Sequence, residues 1–453
     1  MNENDTITAI CSGVGGAITV IRISGASALE IGNKIWKSST VLSSSNCRKF
    51  LLGKILPDIK GIGETAFAVF TPAPKTFTGE NIVEIHAHGG NYNAKRLLTE
   101  IIDAGARQAS PGEFTYRAFV NGKLDLTQAE AVSDLITANS NMAIHLAERQ
   151  MDGVLGRKII ELRNDIVEIL VDCEARLDFP EEELDFMPVS KVLNTLSCIK
   201  SEINKLYKTR VEGSILRDGI RVVIAGKPNV GKSSLLNLLL GFDRAITTEI
   251  PGTTRDTLEE FTNIRGIPVR LIDTAGLRES DNVIEEIGIN RTMTSMKRSQ
   301  VILWVLDASA DDIEMEANEM HEHLKHYQNV IAIWNKMDLA KENSKYPKIK
   351  LPNVSISVKN QKGIEEFLDI FEKSVWERPH VEEPEIAVSQ RHAEFLLETY
   401  NLIPDILNNI NNENWELAAA SLKSAAIALG NIIGEDATLD IYETIFSKFC
   451  IGK

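Results

Sequence analysis

The stretch Gly226-Lys227-Pro228-Asn229-Val230-Gly231-Lys232-Ser233 follows the β-branched run RVVIA at 221–225 and leads into the apolar run SLLNLLL at 234–240. A glycine-rich GxxxxGK[ST] loop between a strand and a helix is a phosphate cradle. Glycines at 226 and 231 let backbone N–H groups, here from Asn229 through Val230 and Gly231 to Ser234, wrap one anion. Lys232 then neutralises the β- and γ-phosphate oxygens, and the Ser233 hydroxyl serves as a ligand for Mg²⁺. Outward from this loop, RVVIAG, PVRLID, VILWVLDAS, NVIAIWNK and NVSISV alternate with helical stretches between Gly219 and about Val375. That alternation predicts a parallel sheet with helices on both faces.

Two tetrapeptides fix the nucleotide. Asp273-Thr274-Ala275-Gly276 comes directly after PVRLI, where a carboxylate approaches Mg²⁺ through water and the Gly276 amide reaches a γ-phosphate. Asn335-Lys336-Met337-Asp338 follows NVIAIW. Its Asp338 carboxylate accepts hydrogen bonds from the N1–H and exocyclic amine of guanine, a pairing that adenine does not offer. GTP is therefore the expected nucleotide. Between the phosphate loop and DTAG lies TTEIPGTTRD, 247–256, at the place of a switch loop, and Thr254 is its expected Mg²⁺ ligand. Ser357-Val358-Lys359 stands where Ser-Ala-Lys or Ser-Ala-Arg usually contacts guanine O6, with Val358 bulkier than the usual alanine. Leu277 follows Gly276 at the position where small GTPases carry a water-orienting glutamine, a role leucine cannot fill. Arg278, Glu279, Asp281, Glu285 and Glu286 come next, and residue type alone selects none of them.

The chain of 453 residues is long enough for about three domains. Residues 1–119 mix short β-branched runs with glycine and proline and predict an α+β domain. Residues 120–215 and 380–453 carry apolar residues at helical spacing, with the acidic loop FPEEELDFMP in the first part, and predict an all-α domain interrupted by the nucleotide-binding segment 216–379. His86 and His88 alternate along a strand-like run, and no third metal ligand stands near them. Five widely spaced cysteines form neither a disulfide framework nor a CxxC pattern, which fits a reducing compartment. The start MNENDTITAI is unlike a secretory signal, and no apolar run is expected to approach the roughly 18 residues of a membrane span. A cytoplasmic protein is expected. A net charge of −15 argues against a general electrostatic grip on nucleic acid, but nearly all of the excess lies in the two helical stretches.

These motifs carry a family resemblance. VIRISG, FTGENIVEIHAHGG, PGEFTYRAFVNGKLDLTQAEAVSDLI, GKPNVGKSS, PGTTRD, DTAGLR and the terminal Cys450-Ile451-Gly452-Lys453 together resemble the bacterial tRNA-modification GTPase family MnmE, also called TrmE. The resemblance implies an α+β amino-terminal domain that dimerises and binds a tetrahydrofolate derivative, a helical domain, and a Ras-like P-loop GTPase domain inserted into the latter. It also implies K⁺-stimulated hydrolysis, with the ion held at Asn229, Thr248, Ile250 and Thr253, and a water-orienting glutamate at Glu285. Folate would meet Arg22, Glu80, Lys123 and Lys453, while Cys450 would take part in the modification. The implied partner is the FAD enzyme MnmG (GidA), with which the family adds an aminomethyl or carboxymethylaminomethyl group to C5 of the wobble uridine in certain tRNAs. The acidic helices then point to tRNA being gripped by the partner or by the near-neutral amino-terminal face. Of the competing readings, a ribosome-assembly GTPase predicts a basic RNA-binding appendage, and none is visible, while a regulatory switch that has lost the modification site predicts that Cys450 and the folate residues have drifted, and they have not.

Overall fold

The computed structural model describes residues 5–13, 15–55, 63–179, 185–242, 259–272, 295–324, 326–327, 329–340, 346–347, 349–376, 386–436, 439–447 and 449–452. It forms two compact units interleaved along the chain: Met1–Ser133 with Gln150–Ile203 and Glu394–Lys453, and Asp134–Arg149 with Asn204–Ala393. Residues 134–149 therefore belong to the nucleotide-binding unit, although they are remote from it in sequence.

The first unit begins with a seven-stranded sheet built from β1 (Ile7–Ile10), β2 (Ile18–Ser24), β3 (Trp36–Lys37), β4 (Leu51–Ile55), β5 (Thr65–Thr71), β6 (Ile82–His88) and β7 (Arg107–Gln108), in the order β3-β4-β5-β6-β2-β1-β7. All neighbours are antiparallel except β1 and β7. Alternation along β2 decides what each face carries. Ile21 and Ile23 enter a core with Val83, Ile85, Ala68 and Phe70. Helices α1 (Ala28–Ile35) and α2 (Asn91–Asp103) cover that core through Ile31, Ile35, Leu97 and Ile101. Arg22 and Ser24, at the alternate positions of β2, share the other face. Helix α3 (Glu113–Val120) follows, then α4 (Leu126–Thr137), α5 (Asn141–Met151) and α6 (Val154–Asp178).

Helix α7 (Val189–Lys208) runs from one unit into the other, and α8 (Arg210–Asp218) leads to the second sheet. That sheet comprises β8 (Ile220–Ala225), β9 (Glu260–Ile264), β10 (Ile267–Ile272), β11 (Val301–Asp307), β12 (Val330–Asn335) and β13 (Asn353–Ser355) in the order β13-β12-β11-β8-β10-β9. Only β9 runs antiparallel. The strands are apolar at successive positions because both faces are buried. Val222, Ile224, Leu303 and Val305 pack with Leu235 of α9 (Lys232–Leu240) and Phe367 of α11 (Ile364–Val375). Their neighbours Val223, Ala225, Ile302 and Leu306 pack with Met320 and Leu324 of α10 (Ile313–Leu324). The strand order reverses around β8, and in such sheets the crevice beyond the carboxyl ends of the strands takes the ligand.

The chain returns to the first unit with α12 (Gln390–Asn411), α13 (Trp415–Ile433) and α14 (Leu439–Phe446). Helices α6 and α13 pack along their lengths. Ile159, Leu162, Ile166, Ile169 and Cys173 form the buried stripe of α6, while Leu422, Ala425, Leu429 and Ile432 are buried on α13. Here the sequence expectation about membrane spans needs correction: the 19 residues of α13 are long and apolar enough to cross a membrane by length and composition. Alanine and leucine around most of the helix give it that composition, and 56% of the apolar window is buried within the protein, as expected of a core helix.

Candidate active site

The nucleotide site is assembled at the carboxyl end of β8. Gly231 is the residue before α9 and has φ +99, a left-handed conformation that glycine adopts without strain. A Cβ there would stand 2.2 Å from Asn335 Nδ2, so the same glycine admits a close approach from β12. Val230 is buried in the core beneath the loop, whereas the side chains of Asn229, Ser233 and Ser234 are exposed. Lys232 Nζ donates to the carbonyls of Gly226 (3.0 Å) and Lys227 (2.7 Å), and burial lowers its proton affinity. The amides that point out of the start of α9 and the Lys232 ammonium give this corner the character of an anion site.

The guanine end is tied to the phosphate end by one side chain. Asn335 is buried; its Nδ2 donates to Val230 O at 2.9 Å and its Oδ1 accepts from Val358 N at 3.3 Å. Lys336, with φ +67, turns its ammonium to Asp307 Oδ2 at 2.6 Å. Burial works against the Asp307 charge, but bonds from Lys336 and Ser309 outweigh it and hold its carboxyl below the usual range. Ser357 Oγ donates to Asp338 Oδ1 at 2.6 Å and holds that exposed carboxyl low as well, with Lys359 adding a favourable charge. Asp338 thus stands as an oriented carboxylate with its remaining lone pairs toward solvent. Val358 is half-buried against the core, and its N–H is tied to Asn335 in place of a looser loop. Thr248, Ile250, Thr253, Thr254, Asp273, Thr274, Ala275, Gly276, Glu285 and Lys453 lie outside the described residues.

A second polar cluster occupies the Arg22–Ser24 face of the first unit. Arg22 Nε donates to Glu84 Oε1 at 2.8 Å, and its guanidinium lies 5.7 Å from the centre of the Phe77 ring and 5.6 Å from that of Phe114. Ser24 Oγ donates to Glu80 Oε2 at 2.7 Å, which puts Glu80 on the same face as Arg22. Lys123 is exposed, and its stem runs beside Gly79, the neighbour of Glu80. The carboxyl-terminal tail docks on the same unit. The Gly112 amide donates to Cys450 O at 3.4 Å, and a Cβ on Gly452 would meet Ile10 O at 2.3 Å. The Cys450 side chain is exposed. Residues that sequence reasoning left without a role complete the cluster: Arg117 donates to Asp5, Glu80 and Glu113, and Arg107 donates to Asp5 and Glu113. Their only signal in the sequence is the charged pair Glu113 and Arg117 at i, i+4 inside EFTYRAF. His88 Nδ1 meets Glu64 Oε1 at 3.0 Å, and among the described residues no three acidic, histidine or cysteine side chains form a metal-binding group.

The sequence is similar to known proteins over both units. A family profile described as the MnmE helical domain matches residues 126–450, and one described as the GTP-binding protein TrmE N-terminus matches residues 6–123. The tRNA modification GTPase MnmE of Clostridioides difficile (strain 630) is 39% identical over 99% of both chains. The chain belongs to the MnmE family of tRNA modification GTPases. MnmE of Natranaerobius thermophilus is 40% identical, and MnmE of Staphylococcus aureus (strain JH9) 38%, each over 99% of both chains. Among solved structures, the G domain of the T. maritima FeoB iron transporter is 24% identical, covers 35% of this chain and 99% of its own, and gives a TM-score of 0.27. As a member of the MnmE family, the protein is a GTP hydrolase with an α+β amino-terminal domain, a helical domain and an inserted α/β P-loop unit.

Proposed function

We propose that this GTPase works with the FAD enzyme MnmG to add an aminomethyl or carboxymethylaminomethyl group to C5 of the wobble uridine of certain tRNAs, with a tetrahydrofolate derivative as one-carbon donor. The observation that supports it best is the docking of the carboxyl-terminal tail, which brings Cys450 onto the same compact unit as Arg22, Glu80 and Lys123 although more than 300 residues separate them. In this reading Glu80 accepts from the pterin ring, the cations meet the anionic tail of the folate, and Cys450 acts in the modification. The folate supplies the one-carbon unit. A homodimer through the amino-terminal domain belongs to the same reading.

On the nucleotide side, Asn229, Lys232 and Ser233 to Ser234 hold the phosphates, and Asn335, Asp338 and Ser357 to Lys359 hold guanine. Ser233 and Thr254 are the assigned Mg²⁺ ligands. The exposed Asn229 side chain, on a residue with φ +62, offers an oxygen to K⁺, with Thr248, Ile250 and Thr253 as further ligands. A cation beside the bridging oxygens offsets charge that develops in the transition state. Glu285 is the assigned water-orienting group. Hydrolysis should rise strongly when K⁺ replaces Na⁺, and Asn229→Ala should erase the difference. The decisive experiment is nucleoside analysis of tRNA from cells lacking the protein, complemented with the wild type or with Cys450→Ser. Loss of a C5-substituted wobble uridine, restored by the wild type alone, is expected; an unchanged nucleoside profile would overturn the proposal.

A further inference from the structure

Arg117 is 6% exposed and lies at the centre of three carboxylates. Its Nη2 donates to Asp5 Oδ1 and to Glu113 Oε1 at 3.1 Å. Its Nη1 donates to the Asp5 carbonyl at 2.8 Å and to Glu80 at 3.0 Å (Oε1) and 3.3 Å (Oε2). Glu113 is itself fully buried and further held by the Ser110 amide at 2.8 Å. The guanidinium is thus fixed on one side by β1-proximal backbone and on the other by α3, and one nitrogen projects at Glu80. Ser24 Oγ, which also shares a 2.7 Å contact with Thr78 Oγ1, holds the other Glu80 oxygen.

A carboxylate has about four lone-pair positions. Ser24 and Arg117 reach Oε2 and Arg117 reaches Oε1, which leaves one lone pair of Oε1 for an incoming donor. A glutamate on a surface loop would otherwise lose rotamer freedom on binding, at a cost of roughly 1 kcal/mol or more. Here protein contacts restrict it beforehand. The cluster is also one that lysine cannot reproduce, because only a planar fork reaches Asp5, Glu113 and Glu80 together.

We propose that Arg117 is a positioning residue of the folate site: clamped by Asp5 and Glu113, it holds the Glu80 carboxylate oriented for a hydrogen-bond donor of a reduced pterin. The inference rests on the folate reading above, and the test separates the two. Tetrahydrofolate affinity is measured for the full chain and for Glu80→Gln, Arg117→Gln and the double variant, with thermal midpoints recorded in parallel. If Arg117 acts through Glu80, each single change weakens binding about tenfold, and the double variant binds no more weakly than Glu80→Gln alone. Arg117→Lys keeps a cation beside Asp5 and Glu113 and serves the same cycle if Arg117→Gln does not fold; it should weaken binding, and combined with Glu80→Gln should weaken it no further than Glu80→Gln alone. Multiplicative losses in the double variant, or wild-type affinity in both Arg117 variants, would overturn the inference while leaving the folate site standing. Absence of tetrahydrofolate binding to the wild type would overturn both.

Discussion

Asn335 Nδ2 donates a 2.9 Å hydrogen bond to the carbonyl of Val230, joining the end of β12 to the phosphate loop. The same amide accepts from Val358 N, so one buried side chain sets the distance between the phosphate corner and the guanine corner. Replacing it with alanine strands both partners, at about 1–3 kcal/mol for a buried group left unsatisfied. Asn335→Ala should lower the thermal midpoint of the nucleotide-binding unit and weaken both GTP and GDP, as titration with a fluorescent nucleotide would reveal. Wild-type affinity for both would show that the two corners are held apart by something else.

Gly231→Ala should have much the same effect by another route. Its Cβ would fall 2.2 Å from Asn335 Nδ2, and φ +99 is unfavourable for alanine. The asparagine must then give way, so the double variant with Asn335→Ala should lose much less than the sum of the single losses. Additive losses in nucleotide affinity would mean that the glycine serves only the backbone turn.

Base selection should reside in Asp338. An amide in place of its carboxylate offers a donor where the exocyclic amine of guanine also donates, and the Ser357 bond that orients the side chain is weakened. Asp338→Asn should cut GTP affinity about ten- to a hundredfold, the loss expected for hydrogen bonds to a charged group. Xanthosine triphosphate, with a carbonyl at C2, should recover part of that loss. Equal preference for GTP over the xanthine nucleotide in wild type and variant would dissociate Asp338 from the base.

The α/β unit was legible because its signals are local: a glycine loop between strand and helix, and strands apolar on both faces. The contact between α6 and α13 was not, since periodicity marks a buried stripe without naming what covers it. Ile427 shares the apolar pattern of α13 and yet is 43% exposed, while Leu422 and Ala425 are buried. The same limit applies to the polar face of the first unit. Arg22 and Glu80 were legible only through family resemblance, and Arg117 was not assigned at all. Its partners Asp5 and Glu80 are brought to it by strand pairing and a loop far away in sequence.

The Arg117 cluster also fixes how the first unit should respond to acid. Burial alone would raise Glu113, but bonds from Arg107, the Ser110 amide and Arg117 overcome it and hold the carboxyl below its ordinary value of 4.5. For Asp5 the Arg107 bond dominates over burial and, with Arg117, holds the group below 3.8. A carboxyl with a lowered folded-state pKa contributes stability that is present above its unfolded value and disappears as pH falls through the folded one. These two groups should therefore stabilise the unit fully at neutral pH and progressively less below about pH 4. Glu113→Gln removes one titrating group and leaves the buried Arg117 short of a charged partner, costing about 1–3 kcal/mol at pH 7. Thermal melts of wild type and variant across the acid range should converge as pH falls, because protonation deprives the wild type of the interaction that the variant lacks throughout. Parallel curves would mean that Glu113 titrates alike in the folded and unfolded protein and contributes no pH-dependent stability.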